Sequence, residues 1–119
     1  MEIRWCGHSY FFIKTQKGNS KEEVKIVIDP FSEEIGIKPC EIEADILLIT
    51  HQHFDHNNKK VVKGDYFLIE GPGEYEVKEV YIKGILSYHN AKKEPNTIYL
   101  LESEGIKVCH LGDLGESEL

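Results

Sequence analysis

Apolar residues in this chain come in short runs, most alternating with polar ones at period two, and glycine, proline or polar clusters interrupt them every few residues. That pattern predicts a protein built from short strands rather than amphipathic helices. Residues 2–6 and 9–15 flank Gly7-His8 and predict a hairpin; residues 16–22 form a polar loop, and residues 24–29 alternate as a third strand that Pro30 stops. Residues 31–42, interrupted by Gly36 and Pro39, predict an irregular segment or a single helical turn. Ile46-Leu47-Leu48-Ile49 is apolar throughout, so residues 44–50 predict a buried strand. Residues 57–62 are the best helix candidate, and a short one. Beyond them, residues 66–70 read as a strand and Gly71-Pro72-Gly73 as a tight turn where backbone approaches closely. Residues 76–88 alternate long enough for one or two strands, and residues 97–102 and 106–111 predict a hairpin around Ser103-Glu104-Gly105. No repeat, low-complexity tract or linker divides the chain, so residues 1–119 read as one unit. Such a chain has many strands and little amphipathic helix to cover a sheet's apolar face.

Candidate chemistry follows directly after the apolar strand, in Thr50-His51-Gln52-His53-Phe54-Asp55-His56. Three imidazoles and a carboxylate within six residues are a metal-ligand signature. Residues two apart in extended backbone point the same way, so His51 and His53 can reach one ion. Asp55 and His56 are adjacent, and they suit a turn entering a short helix, with His56 directed to a second position. Imidazole with carboxylate and no thiolate suits zinc first, with iron or manganese as alternatives. His89 ends one predicted strand, and Cys109-His110-Leu111-Gly112-Asp113 ends the last. Because a catalytic zinc takes three protein ligands and keeps a position open, His89 is the candidate third donor beside His51 and His53. His110 reads as a packed or supporting residue, Asn96 as a capping or turn residue, and His8, Glu74 and Tyr75 as further candidates to line a pocket.

Composition narrows the partners. The net charge is -7 and lysines are dispersed among glutamates, which argues against general nucleic-acid binding. No apolar run approaches the roughly 18 residues of a membrane span, and strand-like sequence begins at Met1 with no signal peptide, so the expectation is a cytoplasmic protein without membrane association. The three cysteines, Cys6, Cys40 and Cys109, are odd in number and widely spaced, which argues against a disulfide framework.

These motifs together resemble the metallo-β-lactamase superfamily. The resemblance runs from Trp5-Cys6-Gly7-His8-Ser9 through the His51–His56 motif, Gly71-Pro72-Gly73-Glu74-Tyr75 and His89 to Gly112-Asp113. It is nearest to the branch of predicted zinc-dependent hydrolases that resembles the ascorbate-6-phosphate lactonases. The resemblance implies that His51, His53 and His89 hold a first metal, Asp55 and His56 a second, and that Asp113 bridges both. It also implies an α+β fold, the β-rich N-terminal half of an αββα sandwich. The chain stops about where the first half of that fold stops, which leads us to expect the second sheet, most helices and a last histidine ligand to be absent. A bare sheet face is avoided by soluble monomers, so the expectation is a homo-oligomer or a missing C-terminal half.

The implied activity is hydrolysis of a small-molecule lactone, ester or phosphodiester by a metal-activated hydroxide, with one or two zinc ions and with Asp55 as the catalytic carboxylate. The alternative is an inactive metal-binding half-domain that acts in assembly or regulation. Redox chemistry at two irons ranks lower, because relatives that perform it commonly carry a carboxylate at the position of His53.

Overall fold

The computed structural model describes residues 1–6, 10–17, 21–30, 42–50, 62–88 and 95–111. Within them run eleven strands: β1 (Glu2–Trp5), β2 (Phe11–Gln16), β3 (Glu23–Ile28), β4 (Ile42–Glu43), β5 (Ile46–Leu48), β6 (Val62–Lys63), β7 (Phe67–Ile69), β8 (Gly73–Val77), β9 (Val80–Tyr88), β10 (Pro95–Ser103) and β11 (Ile106–His110). One sheet has the order β1-β2-β3-β5-β7, antiparallel from β1 to β3 and parallel from β3 to β7. A second, wholly antiparallel, has the order β11-β10-β9-β8, and β4 and β6 form a short parallel pair. The predicted β1–β2 and β10–β11 hairpins are both present. Residues 76–88 resolve into two strands, because Lys78 and Glu79 adopt φ of 48° and 64° and close a two-residue turn between Val77 and Val80.

The second sheet corrects one expectation. The chain does not lack it: β8–β11 build it, and its inner face packs on the first. Val80, Ile82, Tyr99 and Leu101 join Ile13, Val24, Ile26, Ile28, Ile46, Leu48 and Ile69 in one buried cluster. Each such side chain contributes about 1.5–3 kcal/mol when fully buried. The first sheet's other face carries Phe12, Val27, Leu47 and Ile49, clustered with Cys6, Tyr10, Ala44 and Val62. Leu47 therefore packs into one cluster while Ile46 and Leu48 pack into the other, as the unbroken apolar run requires.

Among the described residues there is no helix. Of the helix candidate at residues 57–62, Val62 is a strand residue in β6 and the rest lies outside the described residues. The segment at residues 31–41 also lies outside them. No helix of the described residues is long and apolar enough to cross a membrane. Cys6 is buried, Cys109 exposed, and neither is in a disulfide, whereas Cys40 lies outside the described residues.

Two sets of polar contacts join the sheets near opposite ends of β10. At its end, the hydroxyls of Thr15 and Ser103 lie 2.7 Å apart, and the Thr15 hydroxyl also donates to the Glu104 carboxylate. That bond, followed by the Met1 ammonium 3.2 Å away, holds the Glu104 carboxyl below its ordinary range. The other set lies near the start of β10, where the candidate ligand segments leave the sheets.

Candidate metal centre

All six predicted ligands, His51, His53, Asp55, His56, His89 and Asp113, lie outside the described residues, as does His8. Among the described residues no group of three or more His, Cys, Asp or Glu is arranged to hold a metal. The structure does describe the backbone leading into each ligand segment. Thr50 immediately precedes His51, Ser87 stands two residues before His89, and Leu111 two before Asp113.

These three lead-ins converge on two consecutive residues of β10. The Thr97 amide donates to the Thr50 carbonyl at 2.8 Å, which joins the end of the first sheet's central parallel strand to the second sheet. The Asn96 side-chain amide donates to the Ser87 hydroxyl and to the Leu111 carbonyl, each at 2.9 Å. The Ser87 hydroxyl in turn donates to the Asn96 backbone carbonyl at 3.1 Å. Asn96 is fully buried, Thr50, Ser87 and Thr97 nearly so. Buried polar groups are tolerable only when bonded, and here their bonds tie three separate chain ends together.

Asp29 anchors the first of these ends. Its Oδ1 accepts the Thr50 amide at 2.8 Å and its Oδ2 the Thr50 hydroxyl at 2.6 Å, while its own amide donates to the Leu48 carbonyl at 3.0 Å. A φ of 51° at this non-glycine residue turns the chain just after β3. The carboxylate, wholly inaccessible to solvent, faces the residue before His51. Charge-assisted bonds to buried donors are stronger than neutral ones, about 1.5–3 kcal/mol each. Tyr99 supports the residue before Thr50: its hydroxyl donates to the Ile49 carbonyl at 2.8 Å and lies 3.3 Å from the Ile69 carbonyl. Burial pushes its phenol well above the ordinary range, so it remains a donor at any physiological pH.

Several supporting residues were invisible to pattern reading. Asn96 sits inside β10, where it bridges strands, rather than capping or turning. Its only signal was an asparagine beside a strand run. Asp29 looked like a strand end before Pro30. The remaining candidates are placed as follows. His110 packs edge-on against Phe11, ring centroids 5.5 Å apart, in keeping with a packed residue. Tyr75 packs against the inter-sheet core and donates toward the Gly71 and Pro72 carbonyls, both at 3.2 Å. Glu74 is exposed and accepts the Tyr81 hydroxyl at 2.8 Å.

The donor set suits a transition metal: imidazoles and carboxylates on segments that leave adjacent, hydrogen-bonded positions at one end of two stacked sheets. A two-sheet sandwich with a His-x-His-x-Asp-His motif leaving its central parallel strand defines the metallo-β-lactamase class of proteins. The profile of the Beta-lactamase superfamily domain matches residues 2–118, and the chain belongs to that family. A protein from Thermococcus onnurineus, named a metal-dependent hydrolase of the UPF0173 group, is 29% identical, with 95% of this chain and 61% of the relative covered. A UPF0173 protein from Pyrococcus abyssi is 30% identical, with 95% and 60% covered. Among solved structures, a Thermotoga maritima protein of the metallo-beta-lactamase superfamily, described as a proposed zinc-dependent hydrolase, superposes with a TM-score of 0.76 at 38% identity. That match covers 98% of this chain and 52% of the Thermotoga chain. The chain thus spans between about half and three fifths of the length of the relatives it matches.

Proposed function

We propose that this chain carries the principal metal site of a metal-dependent hydrolase. The observation that supports the reading is the convergence of Thr50, Ser87 and Leu111, which precede His51, His89 and Asp113 by one or two residues in the sequence, on Asn96-Thr97 at one end of the sandwich. The proposed ligands of a first metal are His51, His53 and His89. Asp55 and His56 are proposed for a second, and Asp113 to serve both. When bound, zinc, iron or manganese at such a site supplies an acidified water near neutral pH and positive charge opposite a developing oxyanion. The chain's own contribution is to hold and orient. Asp55 orients the attacking water and carries a proton toward the leaving group. Asp29, through Thr50, fixes where the His51 segment begins. The substrate class proposed is a small-molecule lactone, ester or phosphodiester, with zinc as the resident metal.

The test is metal content by plasma mass spectrometry beside hydrolysis of an aryl ester, an aryl phosphodiester and an unsubstituted lactone. One or two equivalents of metal per chain are expected, lost on double substitution His51→Ala/His53→Ala. Asp55→Ala is expected to keep the fold and lose about 10²–10⁴-fold in turnover. A chain that binds no metal stoichiometrically overturns the reading. Stoichiometric metal with no hydrolysis of any probe turns it to the second reading, a metal-binding module without catalysis.

A further inference from the structure

In Asn96, β10 carries a side chain that reaches both of its neighbouring strands at once. Asn96 stands opposite Ser87 of β9, and among the described residues the pairing of β10 with β11 ends at Tyr99 and His110, just before Leu111. A carboxamide nitrogen has two hydrogens; here one goes to the Ser87 hydroxyl and the other to the Leu111 carbonyl. Because a carbonyl only accepts, the bond to Leu111 also fixes which end of the carboxamide points there. The β10 backbone cannot replace it. Amides two residues apart face the same edge of a strand, and on this edge the Thr97 amide is spent on the Thr50 carbonyl while Pro95 has no amide hydrogen. Past His110, the Asn96 side chain is therefore what β10 offers to the chain leaving β11. The alternatives are chemically narrow: serine or threonine brings one hydrogen, an ionised aspartate none, and glutamine holds both a methylene further out.

We propose that Asn96 is a positioning residue of the metal centre: its buried carboxamide, bonded two residues before His89 and two before Asp113, sets the separation of those two proposed ligands and so the affinity for a metal it does not touch. The proposal rests on the ligand assignment above and adds to it the group that holds two of the ligands in register. Two residues of chain reach at most about 7 Å, so a shift of either anchor is passed to its ligand rather than absorbed. Metal–ligand distances are held to within about 0.2 Å, a tolerance far smaller than that reach. Ser87 is locked to Asn96 from both sides, since its hydroxyl accepts from the carboxamide at 2.9 Å and donates to the Asn96 backbone carbonyl at 3.1 Å. Groups that orient ligands without touching the metal typically contribute about 10–100-fold to its affinity. A clasp that merely stabilised the sheet would lower stability and leave the affinity of the folded chain unchanged.

The experiment measures zinc affinity of the folded full chain by competition with a chromophoric chelator, beside urea unfolding of the metal-free protein. The variants are Asn96→Ala, Ser87→Ala, the two together, and Val24→Ala as a control. Val24 is fully buried between the sheets and stands opposite Thr15, at the other pole of the sandwich. Asn96→Ala is expected to weaken zinc by about 10–100-fold. Ser87→Ala is expected to weaken it by about three- to tenfold, the worth of one net hydrogen bond, and carries the test where Asn96→Ala does not fold. The double variant is expected within about threefold of Asn96→Ala alone, because the two residues act as one unit. Val24→Ala is expected to lose urea stability yet keep zinc affinity within about twofold. The visible d–d bands of the cobalt(II) form, which report ligand geometry, are expected to shift in Asn96→Ala and not in Val24→Ala. A parent chain that binds no zinc overturns the ligand assignment and this inference with it. A parent that binds zinc while Asn96→Ala and Ser87→Ala keep its affinity overturns this inference alone. So does a loss of affinity that Val24→Ala shares in proportion to its lost stability, because affinity then follows folding rather than position.

Discussion

Asn96 offers the sharpest test of how the site is held. Its side chain is fully buried and donates two hydrogen bonds, to the Ser87 hydroxyl and the Leu111 carbonyl, each 2.9 Å long. Asn96→Ala removes both and leaves the Leu111 carbonyl without that donor. Net values of about 0.5–1.5 kcal/mol per bond give 1–3 kcal/mol, and the vacated amide volume adds about 1 kcal/mol. The expected loss is therefore about 2–4 kcal/mol. At an m value near 1.5 kcal/mol/M this moves the urea midpoint down by roughly 1.3–2.7 M. Asn96→Asp keeps the shape and reverses the chemistry, because a carboxylate aimed at a carbonyl repels where the amide donated. At pH 7 it is expected to cost more than the alanine. Its folded-state pKa is raised, so the deficit shrinks as pH falls and the acid becomes a protonated donor, and grows again as pH rises through that value. Urea unfolding of both variants at pH 5 and pH 7, with metal removed by chelator, gives the answer. An alanine loss under 0.5 kcal/mol, or an aspartate variant milder than alanine at pH 7, refutes the bridging role.

Three further outcomes follow from the same geometry. Asp29→Ala deletes both bonds to Thr50 and is expected to cost about 3 kcal/mol and at least tenfold in zinc affinity by chelator competition, whereas Asp29→Asn keeps the backbone bond and loses less of both. Glu79→Gly relieves a left-handed residue at φ 64° in the β8–β9 turn and is expected to stabilise by about 0.5–1 kcal/mol in urea; destabilisation contradicts the turn assignment. Asp45 is pulled upward by burial, yet the Lys78 ammonium at 2.7 Å and the Lys25 amide at 2.9 Å hold its carboxyl below the ordinary 3.8. Its stabilisation is thus present above pH 3.8 and lost as pH falls through the depressed value, so the advantage of the parent over Asp45→Asn is expected to vanish in acid unfolding below that pH.

Strand existence was legible because it is written locally. Alternation and polar turns marked β1, β2, β3 and the β10–β11 hairpin, and the unbroken run Ile46–Ile49 marked a strand buried on both faces. The close approach expected at Gly71-Pro72-Gly73 is real: a β-carbon on Gly84 would stand 2.9 Å from the Gly71 carbonyl oxygen. The Lys78-Glu79 turn stayed hidden because neither residue is glycine or asparagine, the usual occupants of left-handed turn positions. The partition into two sheets was illegible for a different reason. Val80, Ile82, Tyr99 and Leu101 alternate as any half-buried strand does, and nothing local says whether that face meets a helix or another sheet. The ligand motif announced itself by composition. Its supports did not, because Asp29 acts on Thr50 across 21 residues and Asn96 on Leu111 across 15.

That division has a mechanical consequence. The His51 segment leaves the first sheet and the segments of His89 and Asp113 leave the second, so on the proposed reading no metal ligand set exists within either sheet alone. The two sheets are joined at this end by the Thr97 amide on Thr50 and the Tyr99 hydroxyl on Ile49, and on that reading these bonds would govern the spacing between the two ligand groups. On the same reading, a metal held by both groups would clamp the two sheets and stabilise the fold by RT ln(1 + [M]/Kd), about 4 kcal/mol at a thousandfold excess over Kd. Reciprocally, whatever lets the sheets slide weakens the metal. Tyr99 is a core residue whose hydroxyl ties the second sheet to the Ile49 and Ile69 carbonyls of the first, and on the proposed reading that bond would also gauge ligand spacing, a use for a buried phenol where phenylalanine would fill the same volume.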